Sequence, residues 1–329
     1  MSQRLHALSG ELKQKTHYTE SDYEDLAERL GESLLCDRLE KQLKLYRDQA
    51  GRGAKIFRSV FRKSIVCGLF LLGQLAKARK LARSPQWVEQ HWSFPRLPPA
   101  FDGFRILHLS DFHFDFIPEL PAILEQMLSG KHFDCCVLTG DFRGETTGPY
   151  MESVAHLERC RPFLGREVYA VLGNHDNVEL LLKLPELGIR LLMNEAVELK
   201  KDGACIRIAG LDDPHFYQRP DLNFLAGETD LFTILLSHSP ESWRGAQAAG
   251  VDLQLSGHTH GGQLCLPGGI PVLAHLEDCP REMVQGRWQA GDLRGYTSRG
   301  VGSSSLDLRL NCPPEITLHI LNCSVPGCT

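Results

Sequence analysis

The chain has 329 residues, 42% of them hydrophobic, which is too long for a minimal domain and suits one large body with an appendage. Its formal charge of −5 hides an asymmetry: nine basic residues and no acidic one lie between Gly51 and Val88 (Arg52, Lys55, Arg58, Arg62, Lys63, Lys77, Arg79, Lys80, Arg83), leaving 27 basic against 41 acidic residues elsewhere, a balance of −14. So acidic a body excludes a nucleic-acid partner, since duplex binding rests on neutralising phosphates.

In chain order, the N-terminus is polar, and no signal peptide is expected from it. Residues 19–50 read as one amphipathic helix. Ser21 and Glu24 have capping-box spacing, and Leu26, Leu30, Leu34, Leu39 and Leu43 recur on one stripe. Gly51 and Gly53 are its expected stops.

A basic and apolar arm follows. Ile65 to Ala76 is apolar except for Gln74, and twelve residues are too few to span hydrocarbon, which needs about 20. Phe57, Phe61, Ile65 and Leu69 lie at i+4 steps on one helical face, and cations flank the run on both sides. Such a segment suits an anionic membrane surface, each basic side chain contributing about 1 kcal/mol. The alternatives are a helix packed on the following body with its cations in water, a re-entrant hairpin, and a spanning helix lengthened by snorkelling lysines. A peripheral position on the cytoplasmic face of the inner membrane is the corresponding expectation.

Pro95, Pro98 and Pro99 mark a linker, dividing the chain into a helical region, 1–95, and a second domain, 96–329. The second has an α/β pattern. Strands are predicted over Arg105–Leu109, Cys135–Thr139, Val168–Leu172, Ala204–Ala209, Leu231–Leu236, Val251–Leu255, Ser305–Leu310 and Ile316–Leu321, with a helix over Leu120–Leu128. Short strands spaced by helix-length segments imply a layered α/β body. The eleven cysteines lack paired spacing, so buried free thiols in a reducing compartment are expected.

Functional groups in α/β sheets collect at the carboxyl ends of strands. Here Asp111 and His113 follow Ile106–Leu109, Asp141 follows Cys136–Leu138, and Asn174 and His175 follow Val168–Leu172. His238 follows Ile234–Leu236, and His258 and His260 follow Leu253–Leu255. One such exit alone is more often a turn than a ligand; five together point to a metal site. Carboxylate, imidazole and amide oxygen suit Mn²⁺, Fe or Zn²⁺, and without a thiolate among them a zinc finger is excluded. Gly140, Gly173 and Gly257 stand where a side chain would block close backbone approach. Arg143 and Arg299 offer guanidinium groups to phosphate or to solvent. Asp212, Asp213 and His215 either line the site or form a polar loop at its rim.

The run Asp111-Phe112-His113, Gly140-Asp141, Gly173-Asn174-His175-Asp176, His238 and Gly257-His258-Thr259-His260-Gly261-Gly262-Gln263 resembles the calcineurin-like metallophosphoesterases, from about Phe104 to Leu321. The resemblance implies two packed β-sheets flanked by helices, here with an N-terminal helical extension, and two divalent metal ions, manganese first with iron or zinc as alternatives. By motif position, Asp111, His113, Asp141 and His260 hold the first ion, and Asp141, Asn174, His238 and His258 the second, with Asp141 bridging. His175 becomes the proton donor or charge stabiliser at the phosphate. Asp176 either orients His175 or caps a helix over Val178–Leu184. The chain departs from the pattern at Gly144, where many relatives place an acidic partner for the histidine; Glu145 is one position later. No Asp-Arg pair follows, which argues against the protein serine/threonine phosphatases.

The tail residues Arg299-Gly300, Arg309 and Pro313-Pro314-Glu315-Ile316 are similar to a bacterial, membrane-associated branch that includes the chlamydial-type hydrolase of UDP-2,3-diacylglucosamine in lipid A synthesis. The expected substrate is therefore a membrane-associated phosphodiester or pyrophosphate, and specifically that nucleotide lipid, contacted by Arg143, Arg299 and Asp213. The alternatives are a broad phosphodiesterase on soluble or cell-wall substrates, and a metal-binding scaffold without turnover. Nothing in the sequence fixes the oligomeric state.

Overall fold

The computed structural model describes residues 2–13, 18–50, 52–146, 150–217, 222–225, 231–272 and 276–324; the side chains of residues 13, 49–50 and 52–58, Phe57 and Arg58 among them, lie outside the description, as does Gly51. The N-terminal region folds as α1 (Gln3–Lys13), α2 (Glu20–Leu30), α3 (Glu32–Ala50), α4 (Arg52–Leu71) and α5 (Leu75–Ala82). The expected single helix over 19–50 is two, broken at Gly31, whose φ of 79° leaves the helical region. The capping box is also two residues earlier than expected, with Thr19 accepting from the Asp22 amide and the Asp22 carboxylate accepting from the Thr19 amide. Gly53 does not stop a helix; it lies within α4.

The remaining elements, in chain order, are β1 (Gln86–Phe94), β2 (Phe104–Leu109), α6 (Leu120–Leu128), β3 (Cys135–Thr139), α7 (Met151–Cys160), β4 (Val168–Val171), α8 (Leu180–Glu186), β5 (Arg190–Leu191), β6 (Glu195–Lys201), β7 (Ala204–Gly210), β8 (Thr233–Leu236), α9 (Trp243–Ala248), β9 (Leu253–Ser256), β10 (Cys265–Leu266), β11 (Ile270–Pro271), β12 (Gly286–Ala290), β13 (Leu293–Thr297) and β14 (Glu315–Cys323). Two six-stranded sheets form, ordered β1-β14-β2-β3-β4-β5 and β12-β13-β9-β8-β7-β6, beside the small hairpin sheet β10-β11. Their facing sides meet in one core. Ile106, Val137 and Val171 of the first sheet pack there with Ile208, Ile234, Leu236 and Leu255 of the second. Alternate residues Leu107, Leu109, Cys136 and Leu138 point outward into a second core under the helices. Strands buried on both faces read as continuous apolar runs, which is why they were visible in the sequence. All ten described cysteines are free thiols, with Cys135 and Cys136 on opposite faces of β3.

One expected strand is absent, and the boundary lies close to another strand. Ser305–Leu310 forms no strand, only a single bridge between Leu264 and Leu310, because Ser305 takes a positive φ of 63°. And the division at 95/96 passes just behind β1, which pairs along its whole length with β14 as the edge of the first sheet.

Helices α1 to α3 pack on the outer core and reach the loop after β4. Tyr23 and Gln42 donate to the buried Glu179 carboxylate at 3.1 and 3.0 Å, and Asn177 donates to the Tyr46 hydroxyl at 2.9 Å. Arg38, fully buried, pairs with Asp212, donates to the Asp176 carbonyl and stacks 3.7 Å over Tyr217. The helical region thus buttresses the loops beyond β4 and β7.

The arm is bent. Ser59–Leu71 and Leu75–Ala82 meet at 114° across Gly73, and no single helix among the described residues is long and apolar enough to cross a membrane. Its inner side packs: Leu69 and Ala78 are buried against Leu308, with Ile65, Leu264 and Leu306 around them. Arg62 ties it to Glu145 at 3.1 Å. Its outer corner does not, and Phe70, Leu71 and Leu72 are 68–77% exposed.

Candidate metal centre

Strands β2, β3 and β4 run parallel in one sheet, as do β7, β8 and β9 in the other, so their carboxyl ends share one rim. Hydrogen bonds lock the two rims together. The His258 amide donates to both Asp111 carboxylate oxygens (3.0 and 3.1 Å), and His238 Nδ1 donates to the Thr139 carbonyl at 2.7 Å. Glycines permit that approach. A Cβ on Gly257 would stand 2.3 Å from Asp111 Oδ2, and one on Gly173 would stand 2.2 Å from Asp141 Oδ1.

All seven expected ligands converge. Asp111, His113 and His260 bring donor atoms within 4.8 Å of one another, and so do Asp111, Asp141 and His238. Asn174 Oδ1 lies 3.0 Å from His238 Nε2 and 2.9 Å from His258 Nδ1. Asp141 Oδ2 lies 3.5 Å from His113 Nε2 and 3.3 Å from His238 Nε2, between the two groups.

The tautomers show what this arrangement is built to hold. His113 Nδ1 donates to the Arg143 carbonyl at 2.9 Å, which leaves a lone pair on the neutral ring's Nε2. That lone pair points at His260 Nε2, 3.0 Å away, and at Asp141. His238 Nδ1 is fixed the same way, so Nε2 meets Asn174 and Asp141 oxygens. The buried His258 Nε2 has no partner among the described residues. Acceptors facing acceptors repel unless a proton or a cation stands among them. Burial pushes His113 down to about 4 and holds His258 and His260 well below the usual histidine range, which is the neutral, ligating form. His238 is the exception. Burial opposes its charge, but the Asp141 and Asp111 carboxylates outweigh that and raise it. The same negative field would answer to a divalent cation. The donor set therefore fits such an ion.

Five of these residues also take left-handed backbone conformations: Asp111 (φ 53°), His113 (42°), Asp141 (55°), His258 (73°) and His260 (52°). Each costs about 1–2 kcal/mol for an L-residue. Strain gathered at one rim marks a site whose geometry is imposed by its surroundings. Arg309 supplies part of that frame. Fully buried, it donates to the carbonyls of His260, Gly302 and Arg299, joining the loops after β9 and β13.

His175 stands beside the cluster, half-buried, its ring 5.1 Å from that of His113. Its amide donates to Asp141 Oδ1 at 2.9 Å and its Nδ1 to the Gly144 carbonyl. That carbonyl takes the place of the missing acidic partner. Asp115 holds it there by accepting from the Gly144 and Glu145 amides at 2.6 and 2.8 Å, and any side chain at 144 would collide with Phe116.

Asp176 neither orients His175 nor caps a helix; the next helix, α8, starts at Leu180 rather than Val178. Its buried carboxylate accepts from the amides of Asp141, Phe142 and Gly173 (2.7, 3.0 and 2.8 Å), clamping the exits of β3 and β4 together. Burial, with Asp141 close by, pushes it up to about 7. Asp176→Ala is expected to weaken metal affinity roughly 10–100-fold, as removal of outer-shell partners does. Metal content after dialysis against graded chelator measures it; unchanged affinity would remove Asp176 from that role.

Three expected substrate contacts are engaged elsewhere. Arg143 is buried and donates to Asn177 at 3.0 Å. Arg299 pairs with the buried Glu315 at 2.6 Å. Asp213 accepts from the amides of Phe216 and Tyr217 and caps that turn. His215 is the residue of that loop that reaches the site. Its ring centroid is 4.2 Å from that of His258, and its Nδ1 lies 2.9 Å from Glu241 Oε2. Burial opposes its charge, but Glu241 raises it. The polar run Asp212-Asp213-Pro214-His215 signalled the loop; the Glu241 partner, on the loop after β8, was not readable locally.

A cavity of about 510 Å³ opens over the cluster. It is lined by Asp141, Asn174, His175, His215, His258 and His260, and also by Phe61 and Ile65 of the arm with Leu264, Val272 and Leu306.

The sequence model of the family described as calcineurin-like phosphoesterase matches residues 104–262. The chain is 30% identical over 233 residues to the "Uncharacterized metallophosphoesterase YkoQ" of Bacillus subtilis, covering 67% of this chain and 84% of that protein. It is 31% identical over 229 residues to the "Phosphodiesterase YaeI" of Escherichia coli, covering 65% and 81%. It is 29% identical over 282 residues to the "Transmembrane protein with metallophosphoesterase domain" of Bos taurus, covering 77% and 60%.

Proposed function

Because the chain belongs to the calcineurin-like phosphoesterase family, and is a metal-dependent phosphoester hydrolase, we propose that its substrate is an amphiphilic phosphodiester or pyrophosphate taken from a membrane surface. One observation carries this reading: a single cavity is lined both by the donor cluster and by apolar side chains, and the arm supplies two of the latter, Phe61 and Ile65. A phosphate with an apolar tail matches both kinds of lining; a small polar diester uses only one. Within that class the reading is UDP-2,3-diacylglucosamine, cleaved to the lipid 1-phosphate and UMP, at the cytoplasmic face of an inner membrane. A bovine relative whose name includes "transmembrane" fits a membrane setting.

Asp111, His113, Asp141 and His260 would hold one ion and Asp141, Asn174, His238 and His258 the other, with manganese the favoured metal for such a mixed oxygen and nitrogen set. When bound, two divalent ions there would draw charge from a phosphoryl oxygen and bring the pKa of a water toward neutrality. The chain's residues supply the remainder. His175, with Nδ1 committed to the Gly144 carbonyl, presents Nε2 to donate a proton to the leaving oxygen. His215, with Nδ1 on Glu241, can hydrogen-bond a phosphate oxygen beside His258. Leu264, Val272 and Leu306 exclude water from the apolar part of the substrate.

A second reading, a broad phosphodiesterase on soluble diesters, is favoured by the relative named phosphodiesterase. Turnover of UDP-2,3-diacylglucosamine in mixed micelles and of bis(4-nitrophenyl) phosphate, both with Mn²⁺, separates the two. The lipid reading expects the larger kcat/KM on the nucleotide lipid. Brisk cleavage of the aryl diester with the lipid untouched would leave the broad reading in its place.

A further inference from the structure

Beyond the arm, a second apolar element borders the cavity. Leu264 and Val272 line it, and the chain between them leaves as the hairpin β10–β11, closed by a Val272 amide bond to the Leu264 carbonyl at 3.3 Å. The hairpin holds no charged residue from Leu264 to Val272. Its turn, Pro267-Gly268-Gly269, passes through positive φ at both glycines. Leu266, Ile270 and Val272 are 54–57% exposed. A soluble surface has no use for three half-exposed aliphatic side chains on a two-residue ladder. They join a larger set: Val60 and Phe61 on the arm, and Phe70, Leu71 and Leu72 at its corner, are also exposed.

We propose that the hairpin tip and the α4–α5 corner are two prongs that seat the cavity mouth on an anionic lipid bilayer. The occupant is a bilayer surface rather than a protein because of the charges beside the prongs. Lys63, Lys77 and Lys80 are exposed, none pairs with a carboxylate among the described residues, and the sequence from Gly51 to Val88 contains no acid. Apolar side chains at a tip with free ammonium groups behind them match a headgroup layer over acyl chains. Phe61 and Val272, one from each prong's base, both line the cavity. An amphiphile would thus pass from the bilayer to the donor cluster between two apolar walls. The inference deepens the functional reading above and rests on it for the substrate, though not for the binding.

The test uses the full-length protein and sedimentation with vesicles of phosphatidylcholine, with and without phosphatidylglycerol. Two double variants are compared, Leu266→Glu with Ile270→Glu, and Phe70→Glu with Leu71→Glu. None of these residues lines the cavity. Each pair is expected to weaken binding to the anionic vesicles on the order of 100-fold, the effect of withdrawing two apolar side chains from the bilayer. Cleavage of bis(4-nitrophenyl) phosphate should stay unchanged, which reports an intact fold. Hairpin variants that bind as wild type, or that change only the oligomeric state in sedimentation velocity, would overturn the proposal, as would equal wild-type binding to neutral vesicles. A wild-type protein that cleaves neither bis(4-nitrophenyl) phosphate nor UDP-2,3-diacylglucosamine would overturn the functional reading, while the vesicle affinities still decide this one.

Discussion

Asp141→Asn is expected to lower kcat on the order of 10³-fold, the several kcal/mol that a paired metal site supplies to a phosphoryl transition state. The reason lies in its position. Its Oδ2 is within 3.5 Å of His113 Nε2 and 3.3 Å of His238 Nε2, so one carboxylate serves both halves of the cluster. Asparagine keeps the oxygen that accepts from the His175 amide, so the loop after β4 stays in place. It also keeps a backbone N–H for Asp176. What it loses is the negative charge between the two histidines. Bound metal should fall below two per chain while the thermal transition stays sharp. Wild-type turnover in this variant would remove Asp141 from its bridging place.

His175→Ala is the second large effect, with turnover reduced roughly 10²–10⁴-fold, the range of a positioned general acid. Here metal content should not change. The ring bonds to the Gly144 carbonyl rather than to the cluster, and the contact that touches the cluster is its backbone amide, which alanine retains. Slow turnover with two ions bound would place His175 at the proton transfer. Loss of an ion would instead put its ring among the ligands.

These two residues also show what a sequence discloses. Asp141 and His175 each follow a short apolar run and a glycine, a local pattern that a strand exit produces by itself. Asp111, His238 and His258 likewise follow apolar runs, with Ser110, Ser237 and Gly257 immediately before them. Residues whose meaning depends on distant partners are less legible. Arg299 looks like a phosphate grip until Glu315 arrives beside it on β14, and Arg143 until Asn177 does. Asp176 looks like a partner for its neighbour, yet it serves amides 34 and 35 positions away. Strand β1 was hidden because Gln86–Phe94 mixes polar and apolar residues and forms only at an edge, against a partner from the far end of the chain. The cap of α2 was ambiguous for a smaller reason: Thr19 and Ser21 each have an acid three residues on, and propensity does not choose between them.

The arm shows a similar split. Its basic and apolar composition allowed either a helix packed on the body or one lying on a membrane; the fold buries Leu69 and Ala78 on one side and leaves Phe70, Leu71 and Leu72 bare at the corner. Gly73, with a φ of 66°, makes the bend possible.

The most direct test of the whole account is anomalous diffraction from crystals of the wild-type protein grown with Mn²⁺. Two peaks are predicted, one among Asp111, His113 and His260 and the other among Asn174, His238 and His258, with the Asp141 carboxylate between them. A single peak, or density that leaves either group of side chains without an ion, would contradict it.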